Sequence, residues 1–307
     1  MTGSAHGAAG LLVGMDIGGT KTHVRAGIEA DHPSVDTVVS SRGWVPRPER
    51  ESVQWIDDRL RSAGIDDSDV VALVVGAHGY DTEEQAHEMR RALSATRPYP
   101  CSVVNDALLL APAAGIDDGI GLIVGTGSIA LGRSLSGETV YAGGWGWQLG
   151  DEGSAPVLVR EAVRAVLRNQ EMAGAEDVLA QYLVEALSAG SVMELPERLR
   201  IDAGAAAWGV HAPTVFSAAA AGSALANQVI ADAGRQLAEL IERLRARGVT
   251  AEEVVAAGGV IVGQPALARA VRVALAVREP VTRFQVLSQP PVLGAMRLAG
   301  RLRALAH

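Results

Sequence analysis

The feature of this sequence that most constrains its fold is a strand–turn–strand pattern that occurs twice. Each copy has an apolar segment, a polar glycine-rich turn and a second strand-like segment, at Leu11–Asp16, Gly18–Lys21 and Thr22–Ile28, and again at Ile120–Val124, Gly125–Ser128 and Ile129–Leu135. A chain of 307 residues also exceeds what one hydrophobic core usually organises. The pattern, near the start of each half, therefore predicts two lobes of related design.

The segments around the first copy predict a mixed sheet with covering helices. After the hairpin come a strand, a helix, a strand, a helix and a strand, at Val35–Ser41, Arg50–Arg61, Val70–Val75, Glu83–Leu93 and Ser102–Val104. Helices at 177–189, 223–247, 265–272 and 291–305 and strands at 254–257 and 284–287 follow. We place the lobes at 1–108 and 109–307, with a hinge near 107–119 and a C-terminal helix, about 291–307, that can pack back on the first lobe.

Composition excludes several classes of function. The sequence is 48% hydrophobic and 20% charged, which suits a packed α/β protein, and its net charge of -8 with scattered basic residues argues against a nucleic-acid partner. The single cysteine, Cys101, rules out an intrachain disulfide and a metal site built on two thiolates. Without a basic leader or a long apolar run, we expect a soluble, cytoplasmic protein that uses no membrane.

The first glycine-rich turn has the chemistry of a phosphate-binding loop. Backbone N–H groups at Gly18 and Gly19, hydroxyls at Thr20 and Thr22 and the only lysine of the chain, Lys21, can all face phosphate oxygens. Asp16, at the end of the preceding strand, could hold a Mg²⁺-bound water. The alternative is a plain hairpin whose glycines only supply positive φ angles.

A second loop and a third glycine pair extend this interpretation. Gly125, Thr126, Gly127 and Ser128 repeat the loop chemistry, so two loops could clamp a polyphosphate such as ATP in a cleft. Gly258-Gly259 follows a strand and precedes a helix, where the backbone can pass close to a base or ribose. Simple close packing of helix on strand explains that pair equally well.

Two further segments carry candidate catalytic and sugar-binding groups. Asn105-Asp106 follows a strand, so either side chain could cap the next helix, or Asp106 could accept the proton of a hydroxyl that attacks a γ-phosphate. In the stretch from Gly143 to Ser154, tryptophans beside carboxylates suit stacking on a sugar. The alternative is a structural loop in which Ser154 caps a helix and the tryptophans fill the core.

These residues resemble the actin-like ATPase superfamily of sugar kinases, Hsp70 and actin, and within it the branch of N-acetylglucosamine kinases and BadF/BadG/BcrA/BcrD-type ATPases. The resemblance rests on the order of four motifs along nearly the whole chain: Gly14–Thr22, Val104–Asp106, Gly125–Ser128 and Gly143–Ser154. It implies two ribonuclease H-like lobes, each a mixed five-stranded sheet with helices, with ATP and sugar in the cleft between them.

The resemblance also implies a role for each motif. Asp106 is the expected general base, and the phosphates of ATP, which brings Mg²⁺, are bound by Asp16, Gly18, Gly19, Thr20, Lys21, Thr22, Gly125, Thr126, Gly127 and Ser128. Gly258 and Gly259 form an adenosine loop, and the expected sugar contacts are Asn105, Asp106, Gly144, Trp145 and Asp151. The implied reaction transfers the γ-phosphate to a hexosamine 6-hydroxyl, in a homodimer.

One departure leaves the sugar open. Relatives that bind N-acetylglucosamine tend to carry an asparagine in the loop after the third strand, where this chain has Ser41-Arg42-Gly43-Trp44. Glucosamine or another hexose therefore stays possible, as does an ATPase role.

An activator of a radical dehydratase would need two cysteines per subunit for its shared cluster. A sugar-kinase-like regulator would need a DNA-binding module before Leu11, and an actin-type filament would not need the tryptophan loop.

Overall fold

The computed structural model describes residues 10–201 and 204–306, so the expectation drawn from the first nine residues lies outside the described chain. It contains two five-stranded sheets, with strand orders β3-β2-β1-β4-β5 and β10-β9-β6-β7-β8. Helices flank both sheets, and strands and helices follow one another along the chain as in a mixed α/β protein. The predicted fold class, an α/β chain with two five-stranded mixed sheets, is confirmed.

The element bounds are as follows. Strands are β1 Leu11–Ile17, β2 Lys21–Gly27, β3 Val35–Ser40, β4 Val70–Ala77, β5 Cys101–Val104, β6 Ile120–Val124, β7 Ser128–Arg133, β8 Thr139–Gly143, β9 Glu253–Ala257 and β10 Arg283–Val286. Helices are α1 Glu49–Ser62, α2 Glu83–Ser94, α3 Leu110–Ala113, α4 Ala155–Glu171, α5 Val178–Ala186, α6 Leu195–Ile201, α7 Ala205–Gly209, α8 Ala212–Ala220, α9 Ala224–Arg245, α10 Gly259–Gly263, α11 Pro265–Arg278 and α12 Val292–Leu305. Short 3₁₀ turns lie at Asp67–Asp69, Asp106–Leu109 and Val192–Glu194.

The first sheet brings the ends of three parallel strands to one edge. β1 pairs antiparallel with β2 and parallel with β4, and β4 pairs parallel with β5. Parallel strands end on the same side of a sheet, so the residues that follow β1, β4 and β5 become neighbours. This edge therefore collects the first glycine-rich turn, the segment after Ala77 and the Asn105-Asp106 pair.

Alternation along β1 explains how helices cover both faces of this sheet. Val13, Met15 and Ile17 belong to a core that includes buried residues of α1 and α2, whereas Leu12 packs with Ala295 and Met296 of α12. Successive strand residues point to opposite faces, so one short strand contributes to two cores. The C-terminal helix thus packs on the first sheet.

Two glycines let the turn that carries Asp106 lie against its neighbours. A Cβ atom at Gly294 of α12 would lie 2.0 Å from the carbonyl oxygen of Leu109, and one at Gly121 would lie 2.0 Å from that of Ala107. Real side chains do not approach so closely, so both positions exclude a side chain. The absence of side chains at these two glycines lets the 3₁₀ turn at Asp106–Leu109 lie directly against α12 and β6.

The chain forms two compact units. Unit 1 comprises Met1–Gly121, Gly132–Val140 and Leu287–His307, and unit 2 comprises Leu122–Leu131 and Tyr141–Val286. The lobe boundary predicted at residue 108 lies inside unit 1 of this division, and so does α12. Most of unit 2 consists of helices α4 to α11 and strands β9 and β10.

Several elements of unit 2 were absent from the sequence-based expectation. The helices α6, α7, α8 and α10 and the strand β8 were not predicted, α4 appeared only as the helix that Ser154 would cap, and α11 continues to Arg278 rather than ending at residue 272. The first five residues of α4, Ala155–Val159, are all buried, so the alternation of apolar and polar residues that identifies an amphipathic helix begins only at Arg160.

None of the described helices is by itself long and apolar enough to cross a membrane. One pair, Ala205–Ala220 and Ala224–Arg245, meets the length and composition test only when taken together, across a break bent by 118°.

Candidate active site

The first glycine-rich turn is a tight hairpin whose tip is open. Gly18 N–H donates to the Lys21 carbonyl at 3.0 Å, and Ser41 N–H donates to the Thr20 carbonyl at 3.1 Å. Neither Gly18 nor Gly19 has a positive φ angle, and no atom lies within 4 Å of a Cβ placed at Gly19. The plain-hairpin interpretation, in which these glycines supply positive φ, is therefore wrong. Nothing in the described fold requires glycine at Gly19, which leaves its backbone open to a ligand.

The polar side chains of this turn divide between the surface and the interior. Thr20 and Lys21 are exposed at the tip. Thr22, by contrast, is fully buried, and its hydroxyl hydrogen-bonds that of Ser41 at 2.8 Å. Thr22 thus fixes the hairpin to the start of the Ser41–Trp44 loop, whereas the side chains of Thr20 and Lys21 are open to solvent.

The Ser41–Trp44 loop itself is anchored by its aromatic residue. Trp44 is buried and contacts Trp55 edge-on, with ring centroids 5.2 Å apart, and Tyr80 at 6.2 Å. Arg42 is exposed, and its carbonyl accepts a hydrogen bond from the Trp55 indole. The loop therefore offers the surface an arginine where the relatives described above tend to have an asparagine.

Asp16 is a carboxylate that pairs with no side chain of opposite charge in the part of the chain that the structure describes. It lies near the end of β1, opposite His23 on β2 and Gly76 on β4. Burial, and next the carboxylate of Asp106, raise the pKa of Asp16 to about 8. Among residues 10–201 and 204–306, no arginine, lysine or histidine forms an ion pair with it.

The Asn105-Asp106 pair combines a helix-start cap with a perturbed carboxylate. Ala107 N–H donates both to Asn105 Oδ1 at 2.9 Å and to Asp106 Oδ1 at 3.1 Å. Asn105 is the cap of the 3₁₀ turn, so the capping alternative holds for that residue. Burial raises the pKa of Asp106 to about 7, the Ala107 N–H opposes this rise, and the Asp81 carboxylate adds to it. A carboxylate poised near neutrality is suited to accept and release a proton.

The second glycine-rich loop, in unit 2, lies at the start of a long helix. Gly125 N–H donates to the Gly127 carbonyl at 2.8 Å, and Ala155 N–H, the first of α4, donates to the Gly125 carbonyl at 2.9 Å. Thr126 is exposed, while Ser128 is buried and its hydroxyl has no partner among the described residues. Because a helix start carries partial positive charge, this loop favours an anion.

The carboxylate of Asp151 lies close to Gly127 of this loop. Its carboxylate oxygen lies 3.0 Å from the position of a Cβ at Gly127, so any side chain there would press on it. Burial raises the pKa of Asp151, and the N–H groups of Ser128 and Gly146, which face the carboxylate, oppose that rise. Asp151 has φ 55°, a conformation that aspartate and asparagine tolerate better than most residues.

The third glycine pair, Gly258-Gly259, splits into a structural and an open position. A Cβ at Gly258 would lie 2.4 Å from the Val124 carbonyl oxygen, and its φ is 106°, so the fold itself demands glycine there. Gly259 has open space, and its backbone nitrogen lies 3.6 Å from a Cβ placed at Gly125. Close packing therefore explains the first glycine, and the second lies exposed beside the second loop.

The two tryptophans of the Gly143–Ser154 stretch have different environments. Trp145 is 61% exposed and lies beside Tyr141, with ring centroids 6.0 Å apart, next to the exposed Gly144. Trp147 is half-buried against Trp208 at 5.0 Å. Trp147 thus serves packing, as the structural alternative expected, whereas Trp145 presents a free aromatic surface.

Asp81, His78 and Glu152 lie beside these motifs and were not singled out from the sequence, whereas Ser154 was named there only as a possible helix cap. Asp81 accepts a hydrogen bond from Asn105 Nδ2 at 2.8 Å, and burial lowers the pKa of His78 while Asp81 opposes that change. Glu152 has one buried carboxylate oxygen, and Ser154 a buried hydroxyl, without a partner among the described residues. Ser154 starts α4 but makes no side-chain cap. Asp81 and His78 follow β4, whose parallel pairing could have marked them as neighbours of Asn105.

A sequence model of one protein family covers nearly the whole chain. The family is described as the BadF/BadG/BcrA/BcrD ATPase family, and its model matches residues 13–296. This match spans every motif described above.

Characterised relatives align over part or most of the chain. An N-acetylmuramic acid/N-acetylglucosamine kinase of Clostridium acetobutylicum is 30% identical over 60% of this chain and 62% of that protein, so the chain spans less than two thirds of that relative. An N-acetyl-D-glucosamine kinase of Dictyostelium discoideum is 28% identical over 79% of this chain and 82% of that protein.

Solved structures share the fold. A candidate N-acetylglucosamine kinase from Chromobacterium violaceum superposes with a TM-score of 0.67 at 23% identity, covering 94% of this chain and 98% of that one. A ROK family glucokinase from Streptomyces griseus, solved in complex with glucose and AMPPNP, gives a TM-score of 0.61 at 20% identity, covering 96% and 100%.

Proposed function

The chain belongs to the BadF/BadG/BcrA/BcrD ATPase family, and from that membership we propose that it is an ATP-dependent hexosamine kinase. The proposed reaction transfers the γ-phosphate of ATP to the 6-hydroxyl of N-acetyl-D-glucosamine or D-glucosamine. Both characterised relatives are named as kinases of N-acetylated amino sugars. The observation that carries the proposal is Asp106, a half-buried carboxylate with a pKa raised to about 7 at the edge where β1, β4 and β5 end.

Asp106 acts in this proposal as the general base. It takes the proton of the sugar hydroxyl as that oxygen bonds to the γ-phosphorus and the bond from phosphorus to the β–γ bridging oxygen breaks, which releases ADP. A base with a pKa near the working pH combines a large ionised fraction with useful basicity. The partly ionised carboxylate of Asp106 meets that requirement.

The two glycine-rich loops bind phosphate oxygens in this proposal. Gly18 and Gly19 offer backbone N–H groups, and Thr20 and Lys21 add a hydroxyl and a positive charge. In unit 2, Gly125 to Ser128 lie at the start of α4, which favours negative charge. Thr22 contributes by fixing the first loop through Ser41.

The carboxylates of unit 1 suit a divalent cation that arrives with ATP. Asp106 raises the cost of ionising Asp16, Asp81 raises that of Asp106, and neither Asp16 nor Asp106 forms an ion pair among the described residues. We propose that Asp16 holds Mg²⁺ through a water molecule, as hard oxygen ligands do. When bound, Mg²⁺ would neutralise charge on the phosphates. No group of three or more His, Cys, Asp or Glu side chains placed to hold a metal ion occurs in the described chain.

The remaining assignments concern the sugar and the base of ATP. We propose that Asn105, Asp106, Gly144, Trp145 and Asp151 contact the sugar. The exposed face of Trp145 suits stacking on the C–H face of a pyranose. Gly258 and Gly259 are assigned to the adenosine.

Three finer expectations also belong to the proposal. The protein would work in the cytoplasm, where ATP and Mg²⁺ are abundant, and it would form a homodimer. Activation of a radical dehydratase is disfavoured because Cys101, the single cysteine, is buried in β5 and burial raises its pKa to about 11. Such a thiol is a poor cluster ligand.

The test is ADP release with Mg·ATP against glucosamine, N-acetylglucosamine, N-acetylmannosamine, glucose and no sugar. We expect release that depends on one amino sugar by at least about tenfold over the control without sugar, a ratio equal to about 1.4 kcal/mol. Release at the same rate with every sugar and with none would contradict a kinase and favour an ATPase. Preference for glucose would retain the kinase but contradict the hexosamine.

The raised pKa of Asp106 predicts a pH dependence. Only the ionised carboxylate can accept the hydroxyl proton, so kcat/KM should fall about tenfold per pH unit as the pH drops below about 7. Rates measured with both substrates well below KM report the free enzyme. A profile that stays flat from pH 8 to pH 5.5 would contradict Asp106 as the base.

A further inference from the structure

A third carboxylate, Asp81, lies beside the Asn105-Asp106 pair and has no role in the function proposed above. It follows β4, at the same sheet edge as the end of β5. Its Oδ1 accepts a hydrogen bond from Asn105 Nδ2 at 2.8 Å. Asp81 therefore touches the pair through the amide of Asn105.

The hydrogen bond to Asp81 fixes the second end of the Asn105 side-chain amide. The side chain is only 3% exposed, and its Oδ1 accepts the Ala107 N–H at 2.9 Å. Asp81 holds the other end of the amide, so each end has a partner and a flipped amide would put N–H against N–H at Ala107. With Oδ1 occupied in this way, the remaining N–H of Nδ2 makes Asn105 a hydrogen-bond donor for a ligand.

Asp81 is itself held in place by the start of α2. Gln85 Oε1 accepts hydrogen bonds from the N–H groups of Asp81, at 2.9 Å, and Thr82, at 3.2 Å, and Gln85 N–H donates to Thr82 Oγ1. This reciprocal arrangement is a capping box, which fixes the chain at the first turn of a helix. Asp81 is thus a rigid support, and among the described residues His78 is the only histidine whose charge influences it.

We propose that Asp81 is a positioning residue that fixes the Asn105 amide so that its free N–H donates to a hydroxyl oxygen of the sugar acceptor. The proposal rests on the hexosamine kinase activity proposed above. Asp81 does not touch the substrate in this account and acts only through Asn105. Its removal should therefore weaken sugar binding and leave ATP binding intact.

Two substitutions separate positioning from charge. Asp81→Ala removes the acceptor and leaves a buried N–H unsatisfied, so KM for the sugar should rise by about tenfold or more while KM for ATP changes by less than about twofold. Asp81→Asn keeps an oxygen at the same place, so KM for the sugar should stay within about threefold of wild type. Wild-type KM in Asp81→Ala, or equal loss in both variants, would overturn the proposal.

A double-mutant cycle tests whether Asp81 acts through Asn105. In an Asn105→Ala background, Asp81→Ala should not raise KM for the sugar further. Additive effects would overturn the proposal. Asp66→Ala is the matched control, because Asp66 caps the 3₁₀ turn before the opposite end of β4, and its loss should lower stability without changing KM for the sugar.

A readout without turnover distinguishes failure of this proposal from failure of the proposed function. Hydrogen exchange of the Asn105 side-chain amide, followed by ¹H–¹⁵N NMR, should be slow in wild type and Asp81→Asn and at least about tenfold faster in Asp81→Ala. Equal exchange in all three would overturn the positioning role. If wild type releases ADP with no sugar, the kinase assignment fails, and these exchange rates still decide what Asp81 does to Asn105.

Discussion

Asp106→Asn should lower kcat for sugar phosphorylation by about 10² to 10⁴-fold, the usual contribution of a general base. The amide has the size of the carboxylate and can still accept the Ala107 N–H, so the 3₁₀ turn should keep its conformation. It cannot accept the hydroxyl proton. The dissociation constant of Mg·ATP, measured by calorimetry, should change by less than about threefold.

The control is Asp117→Asn, which removes an exposed carboxylate of unit 1 that pairs with Arg301. Surface pairs contribute little, so kcat should stay near wild type. Turnover of Asp106→Asn above about a tenth of wild type would show that another group accepts the proton. If Asp106→Asn loses both ATP binding and turnover, Asp106 binds the nucleotide instead of acting as the base.

Asp151→Ala should lower kcat/KM by about 10²-fold. The carboxylate lies against Gly127 and faces the N–H groups of Ser128 and Gly146. Its loss therefore loosens the second glycine-rich loop and also removes a proposed sugar contact. Misplacement of a binding loop by about 1 Å can cost this much. Alanine is also strained at φ 55°. Asp151→Asn tolerates this φ and should lose less activity.

Asp177→Ala is the matched control for this variant. Asp177 is another carboxylate of unit 2 that accepts backbone N–H groups, from Leu179 at 2.9 Å and Leu225 at 3.1 Å. Its removal should lower the free energy of unfolding by about 1 kcal/mol and leave kcat/KM unchanged. If Asp151→Ala behaves like Asp177→Ala, with lower stability but normal kinetics, Asp151 has only a structural role.

The first sheet was predictable because its signals are local. A hairpin with a glycine-rich tip, a third strand and two strand–helix repeats gave the order that the structure has from β1 to β5. The chain of unit 2 was harder to predict, since α4 begins with five buried residues and its polar face starts only at Arg160. Short helices such as α7 and α10 depend on tertiary contacts that no local pattern reports.

The candidate site shows the same division. Glycine pairs and the lone lysine identified the loops, but the sequence could not tell that Gly258 is required by the carbonyl of Val124 while Gly259 is open. It also could not tell that Thr22 is buried against Ser41. Such distinctions depend on atoms that are distant in the sequence. The hydrogen bond between Asp81 and Asn105 joins residues that follow different strands, and only the parallel pairing of β4 with β5 could have indicated it.

The most direct test of the central claim is the identity of the phosphorylated product. Purified protein is incubated with Mg·ATP and N-acetylglucosamine or glucosamine, and ADP, inorganic phosphate and sugar phosphate are quantified by ³¹P NMR with ¹H–³¹P correlation. The account predicts one sugar phosphate per ADP, with the phosphorus coupled to the protons at C6, and no such product from Asp106→Asn. ADP accompanied by an equal amount of inorganic phosphate, or phosphate on another hydroxyl, would contradict it.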